Sequence, residues 1–423
     1  MKNIILLGSL FIGLTTVAQK KEPIIKVDET TKIINHLASD EMKGRKTFSP
    51  EIDKAAFFID DYFRKAGLRA LNNAPSYLQT FYMASAKQTN LSGQINGTLL
   101  TGNNTIVITT QKELRVTANS GYNIVKILSG DRLFPTAASY VKNGKNTIVL
   151  VDSSFAGNFE RLRYFQQNII KSDVSTIFIL GTPDMRDFSI VASHQIEEKK
   201  LSNVVGLLPG KSKPDEFVIF SAHYDHIGIG QPENEDSIYN GANDDASGTT
   251  AVMLLAKYFG QLKNNERSIL FVAFTAEEIG LIGSAYFSQQ LPPEKVVAMV
   301  NIEMIGTDSK WGKNSAYITG YEQSDLGAIL NQNLKGSRFT FHPDPYPLQQ
   351  LFYRSDNATL ARMGVPAHTV STSKMDNEPH YHKASDEVNT LDLKNMTAII
   401  EAIGMSAGSI ISGKDTPTRV ENQ

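Results

Sequence analysis

The sequence contains no cysteine, and its 423 residues include only one tryptophan and eight histidines. The lack of cysteine excludes disulfide bonds, metal sites built from thiolates and lipid attachment through a cysteine. Any metal ion must therefore be held by imidazoles and carboxylates, so only eight side chains can supply a nitrogen ligand. These side chains are His36, His194, His223, His226, His342, His368, His380 and His382.

Neither sign of charge dominates the chain. It has 42 basic and 44 acidic side chains, so the surface carries both signs and gives no electrostatic support for a nucleic-acid partner. Hydrophobic residues make up 41% of the chain and charged residues 20%, which is typical of a globular protein. At this length we expect one large domain or two, with ample sequence for a buried core.

Long hydrophobic runs are also missing. The apolar run at residues 4–14 is shorter than the roughly 20 residues that a membrane-spanning helix needs, and no later run reaches that length. The run follows Lys2 and precedes small residues up to Ala18, which is the pattern of a secretory signal peptide. We expect residues 1–18 to be a signal peptide of a secreted or periplasmic protein that has no membrane span after its removal; the alternative is an N-terminal anchor.

The order of apolar patterns predicts an α/β fold. Continuous apolar runs at residues 217–220, 269–274 and 298–302 are typical of strands covered on both faces, and helical patterns at residues 249–259 and 391–411 can cover them. We expect a three-layer α/β/α domain with a mostly parallel, mixed central sheet. In such sheets, functional residues gather beyond the carboxyl ends of the strands.

The middle of the chain has a different composition. Ser, Thr, Asn and Gly are frequent there, and short β-rich runs flank a helical pattern at residues 159–170, which indicates a small β-α-β unit. We therefore predict a smaller β-rich module at residues 84–200. It would be inserted into a main domain formed by residues 24–83 and 201–413.

Acidic residues and a histidine stand at the ends of the three apolar runs. His223 and Asp225 come shortly after the first run, Glu277 and Glu278 follow the second, and Glu303 closes the third. Carboxylates at the mouth of a buried strand are costly unless they are paired or bound to a metal. Their positions therefore argue against solvent-exposed carboxylates without a function. They favour a metal-dependent hydrolytic site, because such a site needs a metal ligand and a general base side by side.

Two further elements complete this set. Asp244 and Asp245 are adjacent in a Gly-rich turn before the helix at residue 249, where Asp245 can cap the helix while Asp244 bridges two cations. His382 lies in the loop before the last helix. Two imidazoles and three carboxylates suit a pair of Zn²⁺ ions, and two such ions with a shared hydroxide would be neutralised by Asp244, Glu278 and Glu303.

The order of these five motifs over residues 201–411 resembles the co-catalytic zinc aminopeptidase family, which also includes glutaminyl cyclases, glutamate carboxypeptidase II and the transferrin receptor ectodomain. The resemblance implies two zinc ions per chain that share one bridging carboxylate. The implied ligands of the first ion are His223, Asp244 and Glu303, and those of the second are Asp244, Glu278 and His382.

The resemblance also implies roles around the two ions. Glu277 would be the general base, and Asp225 would orient the His223 ring. Tyr381 would donate a hydrogen bond to the oxyanion, with a packing tyrosine as the alternative, and Arg354 would contact substrate, with a surface arginine as the alternative. The module at residues 84–200 is similar to the protease-associated module that is often inserted in these enzymes.

Two positions depart from the family pattern. Many members have Asp where this chain has Glu303, and His where it has Asn357, which could change metal spacing and amine recognition. A glutamate can still reach zinc, so metal binding survives the first departure. We expect His226 and His380, which lie close to the implied ligands in sequence, to be structural neighbours and not ligands.

The resemblance implies a zinc-dependent exopeptidase, and we expect an aminopeptidase that hydrolyses N-terminal residues of peptides through a metal-bound hydroxide. Two alternatives stay open: a glutaminyl cyclase-like transferase, and a metal-free binding protein of the same fold. The presence of every ligand and of Glu277 disfavours the second. Residue specificity, carboxypeptidase geometry and the oligomeric state stay open at this point.

Overall fold

The computed structural model describes residues 23–181 and 183–421. The expected signal peptide at residues 1–18 lies outside these described residues. Within them, no helix combines the length and the apolar character that crossing a bilayer requires.

Helices form where apolar residues recur every three or four positions. Helix α2 is an example, because Pro50 presets the helical φ at its first position, basic Arg64 and Lys65 stand at its negative end, and one face is buried. The α-helices of the described residues are α1 Val27–Leu37, α2 Pro50–Lys65, α3 Leu133–Lys142, α4 Gly248–Leu262, α5 Ile282–Ser288, α6 Leu326–Asn333, α7 Asn357–Ala361, α8 Leu393–Ser406 and α9 Gly408–Ile411.

Strands form one large mixed sheet, a four-stranded sheet and a hairpin. The strands are β1 Arg69–Ala70, β2 Leu78–Ile95, β3 Thr98–Leu99, β4 Thr105–Ile108, β5 Glu113–Thr117, β6 Asn123–Ile127, β7 Thr147–Val151, β8 Ile169–Ile170, β9 Thr176–Leu180, β10 Phe188–Leu208, β11 Lys213–His223, β12 Gly228–Glu233, β13 Asp236–Tyr239, β14 Arg267–Phe274, β15 Val296–Ile302, β16 Ser315–Ile318, β17 Thr340–Pro343 and β18 Ala367–Ser371.

The large sheet has the order β17-β16-β18-β15-β11-β14-β10-β2-β3. Its centre, from β18 to β14, is parallel, whereas β10 and β2 continue it in antiparallel fashion. In the parallel centre, Ser221 of β11 pairs with Val272 of β14 and with Asn301 of β15. The carboxyl ends of these three strands therefore meet at one edge of the sheet.

Side chains of the central strands alternate between two buried faces. On β14, Ile269, Phe271 and Ala273 belong to a core shared with α1, α2, α4 and α8, whereas Leu270 and Val272 belong to a core shared with α5 and α7. Continuous apolar strands are buried on both faces for this reason. The expected three-layer α/β/α architecture with a mixed central sheet is confirmed.

The middle of the chain contains the four-stranded sheet β4-β9-β7-β6. The prediction of a helix at residues 159–170 is wrong in kind and extent, because the chain forms a 3₁₀-helix over Ser153–Gln166 and then strand β8, which pairs with β2. Phe159 and Leu162 are both buried, and their spacing of three places them on one face of a 3₁₀-helix. The β-α-β unit is thus a strand, a 3₁₀-helix and a parallel strand.

The four-stranded sheet packs against the long strands of the main sheet. Ile190 and Ala192 of β10 and Val116 of β5 share a core with Val107 and Ile148 of the small sheet. Strands β2 and β10 run without interruption through residues 84 and 200, where the predicted module begins and ends. The module and the main sheet therefore share these two strands, and the division into separate domains stays a prediction.

Candidate metal centre

His223, the last residue of β11, stands at the edge where the parallel strands end. Its ring is buried, and its Nε2 atom lies 3.2 Å from Asp244 Oδ1 and 3.3 Å from Glu303 Oε1. The other ring nitrogen, Nδ1, is 3.0 Å from the backbone carbonyl of Asp225, to which it donates when protonated. This contact fixes the ring so that Nε2 faces the two carboxylates, and His223, Asp244 and Glu303 form a three-atom group able to hold a cation.

A second group lies on the other side of Asp244. Nε2 of His382 is 3.2 Å from Asp244 Oδ2 and 3.2 Å from Glu278 Oε2. The two oxygens of Asp244 thus face different groups, one containing His223 and the other containing His382. This is the arrangement that a carboxylate bridging two cations requires.

Hydrogen bonds from backbone amides hold Asp244 and its turn in place. Asp386 accepts hydrogen bonds from the amides of Asn243 and Asp244, at 2.8 and 3.0 Å. The carboxylate of Asp245 accepts from the amide of Gly248, where α4 begins, and from the amide of Met304. Asp245 therefore caps the helix and frees Asp244 to face the cavity.

Asp225 acts on the loop after β14 more than on the His223 ring. Its carboxylate accepts hydrogen bonds from the backbone amides of Glu277 and Glu278 and from the hydroxyl of Thr47. The nearest carboxylate oxygen is 3.8 Å from His223 Nδ1, so the expected carboxylate–imidazole hydrogen bond is replaced by the contact from the Asp225 carbonyl. The carboxylate instead fixes the backbone that carries the two glutamates.

Arg45 connects the loop after β11 to the turn before α4. The sequence pattern did not reveal this role. Its guanidinium is fully buried and donates to four backbone carbonyls, those of Leu37, Tyr224, Asn240 and Gly241. Burial lowers the pKa of Arg45 to about 10, and the carboxylates of Asp386, Asp225, Asp244 and Asp245 oppose that decrease. The pair Gly44-Arg45 in a short polar loop was the only local signal for this role.

A cavity opens above the two groups. Glu277 and Glu303 line its floor, while Tyr381 and Arg354 line its walls together with apolar and hydroxyl side chains. The apolar and hydroxyl part of the wall is formed by Met304, Tyr317, Leu351, Met375, Thr319, Thr369 and Ser371. The Tyr381 ring stacks on the His382 ring, with 3.9 Å between the ring centroids. Both residues that the family resemblance assigned to substrate contact therefore face the cavity.

The charges of the cluster are unbalanced without a cation. Although burial opposes protonation, the neighbouring carboxylates raise the pKa of His223 and raise that of His382 to about 10. Burial also opposes ionisation of Glu278, yet the imidazoles of His226 and His382 lower its pKa to about 2. The site thus favours positive charge among its carboxylates, and the donor set of imidazoles and carboxylates suits zinc.

Two buried acids beside the groups have raised pKa values, in contrast to Glu278. Burial raises the pKa of Glu277 well above its ordinary value, and the carboxylates of Glu303 and Asp356 add to the increase. Burial likewise raises the pKa of Asp356 to about 7. Neither carboxylate oxygen of Asp356 has a hydrogen-bond partner among the described residues, and the sequence pattern assigned it no role.

Two further histidines near the site, His380 and His226, differ in whether they contact the candidate ligands. His380 contacts the hydroxyl of Ser385 and belongs to neither group. His226, expected to be a structural neighbour, is buried with Nδ1 2.8 Å from Glu278 Oε1. Asn357, which departs from the family pattern, donates to the carbonyls of Phe352 and Ala367 and lies in the scaffold behind the cavity.

Comparisons with known proteins find relatives of this chain among peptidases. Residues 203–407 match peptidase family M28. A probable leucine aminopeptidase of Trichophyton verrucosum is 29% identical over 203 residues, which are 46% of this chain and 53% of that protein. Aminopeptidase NAALADL1 of Mus musculus is 30% identical over 130 residues, 29% of this chain and 16% of that protein. The chain thus spans from about a sixth to about half of the length of these relatives.

Solved structures share the fold over nearly the whole chain. BSAP, a zinc aminopeptidase from Bacillus subtilis, has a TM-score of 0.55 at 15% identity. The match covers 94% of this chain and 98% of the BSAP chain. Porphyromonas gingivalis glutaminyl cyclase has a TM-score of 0.51 at 12% identity, with coverage of 92% and 99%. At these identities the likeness shows the fold, and the similarity to this group of proteins that the motifs indicated is confirmed.

Proposed function

With residues 203–407 forming a peptidase family M28 domain, we propose that the protein is a zinc-dependent exopeptidase, an aminopeptidase that removes N-terminal residues from peptides. The observation that carries this proposal is the orientation of Asp244, whose Oδ1 faces His223 and whose Oδ2 faces His382. Two ions would be held by His223, Asp244 and Glu303 and by Asp244, Glu278 and His382. When bound, zinc lowers the pKa of a coordinated water and polarises a carbonyl.

Glu277 supplies the general base. It lines the cavity beside Glu303 and Asp244, and Asp225 fixes its backbone amide. Glu277 takes a proton from the attacking water and gives it to the leaving amine. A group that must accept and then release a proton works best with a pKa near the operating pH, and burial shifts the pKa of Glu277 upward from its ordinary value.

Tyr381 and Arg354 supply the contacts to substrate. Burial and the nearby carboxylates raise the pKa of Tyr381 well above 10, so its hydroxyl stays protonated and can donate to the developing oxyanion. Arg354 is exposed at the cavity wall, where its guanidinium contacts Gln349 and can meet a carbonyl or carboxylate of the peptide. Asp244, Glu277 and Glu303 also line the cavity, and their acidic side chains suit the ammonium group of a free peptide N-terminus.

The proposal includes export from the cytoplasm. Residues 1–18 have the pattern of a signal peptide, and a site without cysteine tolerates an oxidising compartment. The substrates would then be peptides outside the cytoplasm. Mass determination of the mature protein from its native host tests this point, with removal of residues 1–18 as the expected result.

The activity is tested with aminoacyl-4-nitroanilides as substrates. We expect steady release of nitroaniline that chelation abolishes and zinc restores, and a loss of about 10²- to 10⁴-fold in kcat for Glu277→Gln with zinc content unchanged. Glu294→Gln, at an exposed position far from the cavity, serves as the matched control. A fully active Glu277→Gln enzyme would overturn the assigned base.

The same preparation distinguishes the alternative reactions. Ammonia released from a peptide with N-terminal glutamine, without cleavage of any peptide bond, would indicate cyclisation in place of hydrolysis. Loss of C-terminal residues from a peptide library would indicate carboxypeptidase geometry. A purified protein without zinc that also fails to bind added zinc would exclude every enzymatic alternative.

A further inference from the structure

His226 occupies a position in the second group that the implied ligand set does not explain. Its side chain is fully buried, and Nδ1 lies 2.8 Å from Glu278 Oε1 and 3.9 Å from Asp244 Oδ2. The ligand atoms of His226, Asp244 and Glu278 all lie within 4.8 Å of one another. His382 approaches the same two carboxylates from another side, and the two histidine rings are 5.8 Å apart at an angle of 71°.

The contact between His226 and Glu278 is not an aligned hydrogen bond. Neither ring nitrogen of His226 has a hydrogen-bond partner among the described residues, and neither does Oε1 of Glu278. Burial of polar atoms without partners destabilises the folded state for each such group. A cation near both atoms would satisfy Nδ1 and Oε1 together, since both can act as acceptors of positive charge and lie 2.8 Å apart.

The fold fixes the ring in this orientation. The backbone of His226 pairs with Lys46, and its amide approaches the carbonyl of Arg45 at 3.3 Å. The ring packs on Gly241, where an added Cβ atom would lie 2.5 Å from Cγ and Cδ2 of His226. The site therefore depends on a residue without a side chain at position 241, and the imidazole is held beside the carboxylates by the scaffold.

We propose that His226 is a ligand of the second metal ion, in addition to Asp244, Glu278 and His382. Ligand atoms around one tetrahedral zinc, each about 2.0–2.2 Å from the ion, lie about 3.2–3.6 Å from each other. The two His382 separations, 3.2 Å each, fall in this range, and those of His226, 2.8 and 3.9 Å, lie within about 0.4 Å of it. Two imidazoles and two carboxylates then hold this ion, whereas one imidazole and two carboxylates hold the first. The inference rests on the proposed zinc centre and adds a ligand to it.

The experiment uses the full chain, stripped of metal by chelation and titrated with Zn²⁺ in competition with a chromophoric chelator. We expect the wild type to bind two ions, and His226→Gln to bind the second about 100-fold or more weakly. His226→Asp, which keeps a ligating group, should recover part of that affinity. His194→Gln is the matched control, because His194 is also buried with both ring nitrogens unpartnered but belongs to no group of three metal-binding side chains among the described residues.

A second measurement counts imidazole ligands directly. In the Co²⁺-substituted protein, each coordinated histidine gives one exchangeable N–H proton signal that is strongly shifted by the paramagnetic ion. We expect three such signals in the wild type and in His194→Gln, and two in His226→Gln. Circular dichroism establishes that each variant is folded.

The outcomes separate this inference from the proposed function. Two shifted signals in a wild type that binds two metal ions, with equal affinities in His226→Gln, would overturn the role of His226 and leave the zinc centre intact. A wild type that binds no zinc would overturn the zinc centre and this inference together.

Discussion

Tyr381 is the side chain of the cavity whose role depends most on its protonation state. Its ring stacks on a metal-ligand candidate, His382, and its hydroxyl has a raised pKa, so it is a hydrogen-bond donor throughout the physiological range. We expect Tyr381→Phe to lower kcat by about 10²-fold with little change in KM, because the lost donor acts mainly in the transition state. Steady-state kinetics on an aminoacyl-nitroanilide measure this, with exposed Tyr164→Phe as the control. A change confined to KM would contradict the assignment.

His368, which does not itself line the cavity, sets a pH dependence of stability. Its Nδ1 contacts the carbonyl of Thr319 and its Nε2 the hydroxyl of Ser324, and burial lowers its pKa to about 4. The unfolded chain takes up this proton near pH 6.5, so the folded state is favoured above pH 6.5 and loses that advantage as the pH falls towards 4. The loss for this group is about 3 kcal/mol.

We therefore expect the free energy of unfolding of His368→Gln to fall less steeply than that of the wild type between pH 6.5 and 4. Urea unfolding of the metal-free proteins at a series of pH values measures both slopes. His36→Gln is the control, because His36 is exposed on α1. Parallel curves for wild type and His368→Gln would contradict the prediction, whatever their vertical offset.

Among the structural elements, the loops beyond the parallel strands depend on Arg45. Its guanidinium connects the loop after β11 to the turn that carries Asp244, through carbonyls of Tyr224, Asn240 and Gly241. We expect Arg45→Met to lower the free energy of unfolding by about 3–5 kcal/mol, because buried carbonyls lose their donor and nearby carboxylates lose a positive charge.

The matched comparison for this prediction is Arg186→Met. Arg186 forms an ion pair with Asp184 in which both side chains are exposed, and such pairs contribute about 1 kcal/mol or less. Urea unfolding of both variants, metal-free and zinc-loaded, separates the two cases. Equal destabilisation of the two variants would show that Arg45 has no special part in joining the loops.

The elements differ in how far the sequence predicted them. The apolar runs of β11, β14 and β15 were recognisable because strands covered on both faces need no polar residues. The 3₁₀-helix at Ser153–Gln166 was not, since its apolar spacing of three and four also fits an α-helix. The predicted module boundaries at residues 84 and 200 fall inside the long strands β2 and β10. Composition changes there, although the backbone pairing of the two strands continues.

For the whole molecule, the two proposed ions would tie together residues from His223 to His382. Ligands that bind only the folded state add about 4 kcal/mol of stability at a thousand times their Kd. We expect chelation to lower the Tm by several degrees and zinc to restore it, as measured by differential scanning calorimetry. Calcium should not restore it, because calcium prefers six to eight oxygen ligands and binds imidazole poorly. A Tm that is indifferent to chelation would contradict the zinc centre.

The sequence by itself determined the chemistry of the site. Without cysteine, a metal can be held only by histidines and carboxylates, and the acids that follow apolar strands marked Glu277, Glu278 and Glu303. Strand ends in a parallel sheet share one edge, so these residues could be placed together from local patterns. The three-layer fold followed from the same patterns.

Only the tertiary structure decided which atoms face each other. Asp244 turns one oxygen to each group because amides bonded to Asp386 fix its backbone, and His226 enters the second group because Gly241 leaves room for its ring. Arg45 contacts the loops across 179 to 196 positions of sequence. Such contacts depend on backbone paths between distant segments, and no local pattern of residues encodes them.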